Sequence, residues 1–232
     1  MNTRTTIIFD FDGTVALGDG PVLAYAQHVA AELGSPEGFV DGIRLLLTAG
    51  GEGALDGYDA VRRVAEAAGA NTGHLSRAYL ASRGRLGTPD APITAPDGLA
   101  QFLAEADAHR ILVTNAPDVR LAEALAALGL DGLFDRIVTS AGKPAGIERI
   151  LDELADDVRV LSIGDIWHND LAPVHRRGHA TALVGDFSDP GAHPTFRAAT
   201  LTALLPQLRE WLTDSTAADS TIPAPTTTLT EG

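Results

Sequence analysis

Four short apolar segments, each closed by polar residues or glycine, are spread along the sequence at residues 6–10, 111–115, 158–165 and 181–185. Runs of this length bounded by turn residues are typical of buried β-strands. Apolar residues at helical spacing predict helices at about residues 99–109, 119–128, 145–154 and 171–177. This alternation predicts an α/β fold, with a Rossmann-like, doubly wound parallel sheet between two layers of helices.

Residues 16–88 interrupt the alternation, because no convincing strand occurs among them. Their apolar spacing predicts four helices, at residues 21–33, 39–47, 58–68 and 74–82. We therefore expect a helical domain inserted after the first strand, with residues 88–92 as the return linker. The sheet domain would comprise residues 1–15 and 89–214. Residues 215–232 are rich in Thr, Ala and Pro, and we expect them to be a disordered tail.

Composition narrows the class of protein. With 232 residues and 45% hydrophobic composition, the chain can bury the core of a soluble globule. No apolar run is long enough for a membrane span, and the N-terminus lacks the features of a secretory signal, so we expect a cytoplasmic protein. The absence of cysteine excludes disulfides and cysteine-ligated zinc. A formal charge of -14 argues against nucleic acid as a partner.

The segment Asp10-Phe11-Asp12-Gly13-Thr14 lies where the first predicted strand gives way to a turn. Two carboxylates two positions apart can serve one phosphorus atom, one as nucleophile and the other as proton donor. Gly13 permits a tight turn whose N–H groups face an anion. Taken alone, the segment also fits an ordinary Asp-Gly turn.

Polar residues also follow the second predicted strand, and a single lysine occurs further along. The Thr114 hydroxyl and the N–H groups beside Asn115 can hold phosphate oxygens, although a threonine here can also be a helix cap. Lys143 is the only lysine beside sixteen arginines. Its compact ammonium suits charge neutralisation in a crowded carboxylate and phosphate site, whereas an isolated lysine would otherwise be a solvated loop residue.

The loop after the third predicted strand is acidic. Asp165, Asn169 and Asp170 supply the hard oxygen ligands that Mg²⁺ prefers. Such a loop can equally be a turn or a helix cap. His168 is a poor ligand in these surroundings, and we interpret it as a neighbour of the site that contacts the substrate.

These four segments, in this order and each at or after the end of a predicted strand, resemble the motifs of the haloacid dehalogenase superfamily. The resemblance covers about residues 6–185, and the helical insert is similar to the cap that one large branch carries between its first two motifs. Agreement of motif, order and local structure makes the joint pattern more specific than any of its parts.

The resemblance implies a Mg²⁺-dependent phosphatase acting on a small phosphate ester, with Asp10 as nucleophile and Asp12 as general acid and base. Thr114, Asn115 and Lys143 would bind the phosphoryl group. Mg²⁺ would be held by Asp10, the backbone carbonyl of Asp12 and Asp165, with Asp170 supporting it directly or through water and Asn169 competing with Asp170 for that role. We expect a monomer or homodimer with no membrane or nucleic-acid partner.

Three alternatives stay open. A phosphomutase would use the same parts, a dehalogenase would not need Asp12 or the full metal site, and a catalytically silent binding module would keep only the fold. Within the insert, the turn at residues 50–53 either enters the site or is a plain connection. Arg44, Arg83 or Arg85 can recognise an anionic substrate or simply solvate a helix face.

Overall fold

A computed structural model describes residues 5–50, 53–185 and 189–214. Its strands are β1 (Thr5–Asp10), β2 (His109–Val113), β3 (Arg136–Val138), β4 (Arg159–Gly164), β5 (Ala180–Val184) and β6 (Phe196–Ala198). Its helices are α1 (Gly20–Glu32), α2 (Phe39–Thr48), α3 (Gly57–Ala67), α4 (Thr72–Arg83), α5 (Leu99–Glu105), α6 (Leu121–Ala127), α7 (Ala145–Glu153), α8 (Ala172–Arg176) and α9 (Leu201–Thr213). The predicted tail at residues 215–232 lies outside the described residues.

The described strands form one parallel sheet in the order β3-β2-β1-β4-β5-β6. β1 lies near the centre, where Asp10 is in register with Val113 of β2 and Phe9 with Ile163 of β4. This confirms the predicted parallel α/β sheet. Because these strands run in the same direction, the polar residues at their carboxyl ends share one edge of the sheet, where ligands bind in folds of this kind.

Both faces of the sheet are covered by helices. Ile7 and Phe9 of β1 belong to an apolar cluster that includes side chains of α5, α6 and α9. Ile8, which points to the opposite face, belongs to a second cluster with side chains of α7 and α8. Burial of each such side chain stabilises the fold by roughly 1.5–3 kcal/mol, so the strand that carries Asp10 is firmly held.

The helices α1 to α4 form a separate bundle between β1 and α5. Its own apolar cluster includes Tyr25 and Val29 of α1, Ile43 of α2 and Val61 of α3. α1 packs against each of the other three helices. In the part of the chain that the structure describes, no helix combines the length and hydropathy that crossing a bilayer requires.

The two chain segments that connect this bundle to the sheet lie side by side. Leu17 donates a backbone hydrogen bond to Thr94 at 2.8 Å, and Thr94 donates one back to Leu17 at 3.0 Å. These reciprocal bonds form a short antiparallel bridge where the chain leaves and re-enters the sheet region.

Several predicted elements are wrong in their ends or were missed. The predicted helix at residues 99–109 is too long, because α5 ends at Glu105 and His109 pairs with Thr6 in the sheet. The predicted helix at residues 171–177 is α8, preceded by a π-helical turn, Trp167–Leu171. Neither β3 nor β6 was predicted, and each has only three residues.

The prediction also omitted α9. Four leucines that share a helical spacing are all buried on its inner side: Leu201, Leu204, Leu205 and Leu208. Thr200 caps the helix by accepting a hydrogen bond from the Ala203 N–H at 3.3 Å. Pro206 lies inside this helix, where proline ordinarily counts against a helical assignment.

Candidate active site

Asp10 is the last residue of β1, and the loop that follows it is anchored in the core. Phe11 and Val15 are fully buried, so the loop between them cannot swing away from the sheet. The N–H groups of Val15 and Ala16 both donate to the Phe11 carbonyl, at 3.0 and 2.8 Å. These contacts place Asp12 one short turn beyond Asp10.

Two glycines allow close packing around the loop that follows β4, one from the β1 loop and one at the end of β4 itself. Gly13 has φ of +82°, and a side chain there would collide with the carboxylate of Asp165. Gly164 precedes Asp165, and a side chain there would collide with Asp170. The close packing of these loops therefore depends on the absence of a Cβ atom at both positions.

Lys143 brings two of the carboxylates together. Its Nζ atom donates to Asp10 Oδ1 at 2.5 Å and to Asp170 Oδ1 at 2.7 Å. All three side chains are nearly completely buried. The backbone N–H of Lys143 donates to Asn115 Oδ1 at 2.7 Å, which fixes the lysine loop beside the end of β2.

Asp170 is itself held on several sides. Its Oδ2 atom accepts a hydrogen bond from the Ile166 N–H at 3.1 Å, and its backbone carbonyl accepts one from the Ser162 hydroxyl at 2.8 Å. A carboxylate has about four lone-pair positions, so these contacts leave Asp170 able to accept further ligands.

Asp10, Asp165 and Asp170 form a compact acidic cluster, because each offers an oxygen atom within 4.8 Å of the others. Asp10 Oδ2 is buried and has no hydrogen-bond partner among the described residues. A buried carboxylate oxygen without a partner is costly unless a cation or donor completes its environment. Hard oxygen atoms at these separations fit a divalent metal ion such as Mg²⁺.

The cluster strongly perturbs the titration of its members. Burial raises the pKa of Asp10 to about 7, with the Lys143 ammonium opposing the rise and the Asp170 carboxylate adding to it. Burial, then the charges of Asp10 and Asp170, raise the pKa of Asp165 well above its usual value. Burial alone would lower the pKa of Lys143, but the two carboxylates it contacts raise it above the usual value.

Thr114 and Asn115 follow the end of β2. The Thr114 hydroxyl accepts a hydrogen bond from the Ala116 N–H at 3.0 Å, and the Thr114 N–H donates to the Val138 carbonyl at 2.9 Å. The backbone N–H groups of Thr114 and Ala116 are therefore engaged within the protein. The proton of the Thr114 hydroxyl remains available to a phosphate oxygen.

Asp12 contacts a residue from the helical bundle. Arg83, near the end of α4, donates from Nη1 to Asp12 Oδ1 at 2.8 Å, and Nη1 also lies 3.4 Å from the Tyr58 hydroxyl. Only 1% of the Arg83 side chain is exposed, compared with 27% of Asp12. The guanidinium carbon lies 5.8 Å from the centre of the Phe11 ring, which supports the buried charge.

Two adjoining cavities open beside these residues. The inner chamber, of about 220 Å³, lies between the ends of the strands and Tyr58 and Tyr79 of the bundle. It is lined by all of the residues predicted to form the site: Asp10, Asp12, Thr114, Asn115, Lys143, Asp165, Asn169 and Asp170. The outer chamber, of about 420 Å³, lies between the Asp12 loop and the ends of α1, α2 and α3 that face it.

A model of the haloacid dehalogenase-like hydrolase family matches residues 5–174 of the sequence. The chain belongs to this family. The match includes every segment that lines the inner chamber and the whole helical bundle. The predicted resemblance to the haloacid dehalogenase superfamily is therefore confirmed. No curated protein matches the sequence significantly.

Solved structures of haloacid dehalogenase-like proteins share the fold. A predicted phosphoglycolate phosphatase from Haemophilus somnus is 18% identical, with a TM-score of 0.61 over 90% of this chain and 99% of that one. The provisionally assigned hydrolase YfnB from Bacillus subtilis, bound to magnesium, is 16% identical, with a TM-score of 0.58 over 90% and 100%. A provisionally assigned β-phosphoglucomutase from Thermotoga maritima is 19% identical, with a TM-score of 0.54 over 89% and 99%.

The residues that the sequence suggested as substrate contacts lie mostly outside the inner chamber. His168 is exposed and lines a different cavity, together with Asp165. Arg44 and Arg85 pair with the exposed carboxylates of Asp41 and Asp90. Gly50 lines the outer chamber, while residues 51–52 of the same glycine-rich turn lie outside the described residues.

Sequence reasoning missed the residues that the bundle contributes. Asp56, Tyr58 and Tyr79 all line the inner chamber. The sequence did contain a relevant pattern, because all three tyrosines of this family member, Tyr25 included, fall in the insert. Their rings lie 5.7 to 5.9 Å apart, so they form one aromatic group beside the site.

Proposed function

We propose that this haloacid dehalogenase-like hydrolase is a Mg²⁺-dependent phosphatase that hydrolyses small phosphate monoesters through an aspartyl-phosphate. One observation carries the proposal. The single lysine of the chain joins Asp10 to Asp170 in a buried site where Asp165 offers a third carboxylate oxygen. A site of this kind suits a phosphoryl anion, provided that cations offset the carboxylates.

In this proposal, Mg²⁺ would be held by Asp10, the backbone carbonyl of Asp12, Asp165 and Asp170, with Asn169 as the alternative to Asp170. The acidic cluster and the unpartnered Oδ2 atom of Asp10 support this assignment. When bound, the ion would offset the negative charge shared by the carboxylates and the phosphoryl group.

The protein residues carry the steps. Asp10 attacks phosphorus as the bond to the leaving oxygen breaks, and Asp12 protonates that oxygen so that it departs as an alcohol. Asp12, now ionised, then takes a proton from a water molecule that attacks the aspartyl-phosphate. Inorganic phosphate leaves and Asp10 is restored. Lys143 and the Thr114 hydroxyl bind the phosphoryl oxygens throughout.

The arrangement of the bundle supports a role for residues 16–88 as a cap. Tyr58 and Tyr79 lie across the inner chamber from the strand ends, and α1, α2 and α3 form one side of the outer chamber. In this role the bundle excludes water from the site and contacts the leaving group.

Asp10→Asn provides the direct test. It should remove essentially all phosphate release from p-nitrophenyl phosphate in the presence of Mg²⁺, while the circular dichroism spectrum stays unchanged. Asp12→Ala should slow turnover steeply and allow a phosphorylated protein to accumulate. Asp131→Asn, an exposed residue beyond α6, is the matched control and should keep wild-type activity. Near wild-type turnover by Asp10→Asn would refute the nucleophile assignment.

A phosphomutase is the second candidate, favoured by the structural similarity to the provisionally assigned β-phosphoglucomutase. The two activities differ in whether water or a sugar hydroxyl accepts the phosphoryl group. Incubation with a hexose 1-phosphate and Mg²⁺ separates them, because a phosphatase releases inorganic phosphate whereas a mutase yields the 6-phosphate.

A further inference from the structure

The outer chamber is the space that a leaving group would occupy. It adjoins Asp12, the residue proposed to protonate the leaving oxygen, and its volume of about 420 Å³ suits a small-molecule ligand. Leu17, Val22 and Leu47 give it an apolar wall. The alcohol portion of a bound phosphate monoester would therefore extend into this chamber.

The charged residues that the structure describes in this chamber are all acidic. Among the described residues that line it, none is a lysine, arginine or histidine, whereas four are aspartates: Asp12, Asp19, Asp56 and Asp165. The two internal segments outside the described residues, 51–52 and 186–188, are Gly-Glu and Asp-Phe-Ser and contain no cationic residue.

The cations of residues 16–88 are already engaged. This segment has six arginines and no lysine. Each arginine forms an ion pair with a carboxylate: Arg44 with Asp41, Arg62 and Arg63 with Asp59, Arg77 with Glu32, Arg83 with Asp12, and Arg85 with Asp90. Lys143, the cation of the inner chamber, is bound to Asp10 and Asp170.

A leaving group with its own negative charge would thus meet the carboxylates of Asp19 and Asp56, which neither Arg83 nor the proposed Mg²⁺ offsets, and would find no free cation among the described residues that line this chamber. Such a group would lose its hydration and gain no opposite charge in return. An uncharged alcohol avoids this penalty, and its apolar parts can pack on the leucine and valine side chains. A protonated amine would find acidic partners and the nearby ring of Tyr58.

We propose that the substrate is a phosphate monoester of an uncharged or amine-bearing alcohol, and that alcohols carrying a carboxylate or a second phosphate are rejected. This inference rests on the proposed phosphatase function. It separates this chain from the phosphoglycolate phosphatase assigned to one of its structural neighbours, since the leaving alcohol of phosphoglycolate carries a carboxylate.

Two size-matched series test the proposal on the wild-type protein with Mg²⁺. One comprises phosphoethanolamine, propyl phosphate and phosphoglycolate; the other comprises glucosamine 6-phosphate, glucose 6-phosphate and 6-phosphogluconate. Each compound is assayed as a substrate and as a competitor of p-nitrophenyl phosphate hydrolysis. We expect the anionic member of each series to have a kcat/KM, or a competition constant, at least tenfold poorer than that of the uncharged member.

The outcomes are distinguishable. If p-nitrophenyl phosphate is not hydrolysed, the proposed function fails and the inference falls with it. If it is hydrolysed but the anionic compounds act as well as the uncharged ones, only the inference is overturned.

Asp56→Asn tests the electrostatic explanation. Asp56 caps α3 by accepting the Asp59 N–H at 2.7 Å, and asparagine serves equally well at this position. The substitution should therefore keep the fold. It should reduce the ratio of kcat/KM for uncharged compounds to kcat/KM for anionic compounds, or the corresponding ratio of competition constants, at least threefold. Asp131→Asn removes one negative charge away from the chamber and should leave the preference unchanged. If this ratio is unchanged in Asp56→Asn, the carboxylates of the chamber are not what excludes anionic compounds, and the proposal is overturned.

Discussion

Arg83 of α4 donates a hydrogen bond to Asp12 at 2.8 Å across the boundary between the helical bundle and the sheet. The Nε and Nη2 atoms of Arg83 are buried without hydrogen-bond partners among the described residues. A buried guanidinium with this single carboxylate partner would lose its ion pair if it moved, so its position is fixed. The contact therefore restricts the orientation of Asp12.

Arg83→Gln should accordingly impair the proton donor. We expect kcat for an alkyl phosphate to fall by about tenfold to a hundredfold, because general acid catalysis contributes on this scale. Hydrolysis of p-nitrophenyl phosphate should fall less, because its leaving group needs little protonation and Asp12 is then needed only for hydrolysis of the aspartyl-phosphate. Steady-state kinetics on both substrates measure the difference.

Arg77→Gln is the matched control for Arg83→Gln, since Arg77 lies on the same helix but pairs with Glu32 at the surface. It should leave both rates unchanged. Arg83→Lys, which keeps a cation, should partly restore the alkyl phosphate rate. An equal loss on the two substrates would show that Arg83 does not assist protonation of the leaving group by Asp12.

Lys143→Met should destabilise the protein as well as inactivate it. The substitution leaves Asp10 and Asp170 buried with no cation between them, and breaking a buried ion pair in this way costs about 3–5 kcal/mol. Urea unfolding in EDTA measures the loss. Lys143→Arg keeps the charge but not the compact shape, so it should lose activity with a smaller loss of stability. A Lys143→Met variant as stable as the wild type would contradict the buried pairing.

The raised pKa of Asp10 predicts that Mg²⁺ and protons compete. Its value of about 7 lies above its usual value near 4, so the metal-free site holds a proton that metal binding must displace. Mg²⁺ affinity should weaken as the pH falls below about 7. Calorimetry at pH 6.5 in two buffers of different ionisation enthalpy should detect proton release, and Asp10→Asn should reduce it, leaving the share that comes from Asp165. Binding without any release would contradict the prediction.

The same shift predicts how the stability of the metal-free protein changes with pH. A carboxyl group whose pKa is raised by folding stabilises the folded state below its unfolded value, near pH 4, and this contribution is lost as the pH rises to about 7. In EDTA, the melting temperature should therefore fall between these limits. Mg²⁺ should restore most of the loss at pH 7.5, and a flat profile in EDTA would be inconsistent with the assigned shift.

Gly13→Ala separates backbone strain from crowding in the site. Gly13 and Gly178 both have positive φ, +82° and +76°, but an added methyl group would meet Asp165 only at Gly13. Each substitution should cost about 1 kcal/mol or more through the backbone. Only Gly13→Ala should also weaken Mg²⁺ binding, measured by calorimetry. Equal Mg²⁺ affinity in the two variants would show that a methyl group at position 13 does not displace the Asp165 carboxylate.

The sequence was most informative where a pattern is local. Asp10 and the segments around Thr114 and Asp165 each follow an apolar run, and parallel pairing necessarily gathers strand ends at one edge. The grouping of these residues at one edge of the sheet could thus be predicted from the sequence. Lys143 was found by its rarity, because no strand or helix pattern marks its loop.

What the sequence left out depends on contacts between distant residues. Arg83 lies 71 positions from Asp12, and nothing in its neighbours distinguishes it from the other arginines of the insert. The end of α5 was misplaced because pairing of His109 with Thr6 overrides a helical apolar spacing. Strands as short as β3 and β6 carry too few residues for periodicity to be recognised.

The reciprocal hydrogen bonds between Leu17 and Thr94 have an implication for engineering. The two chain segments that enter and leave the bundle are hydrogen-bonded to each other at these residues. The distance between the two ends of the intervening segment is therefore fixed. We therefore expect that segments from relatives can be transplanted at these two residues while the strand ends keep their register.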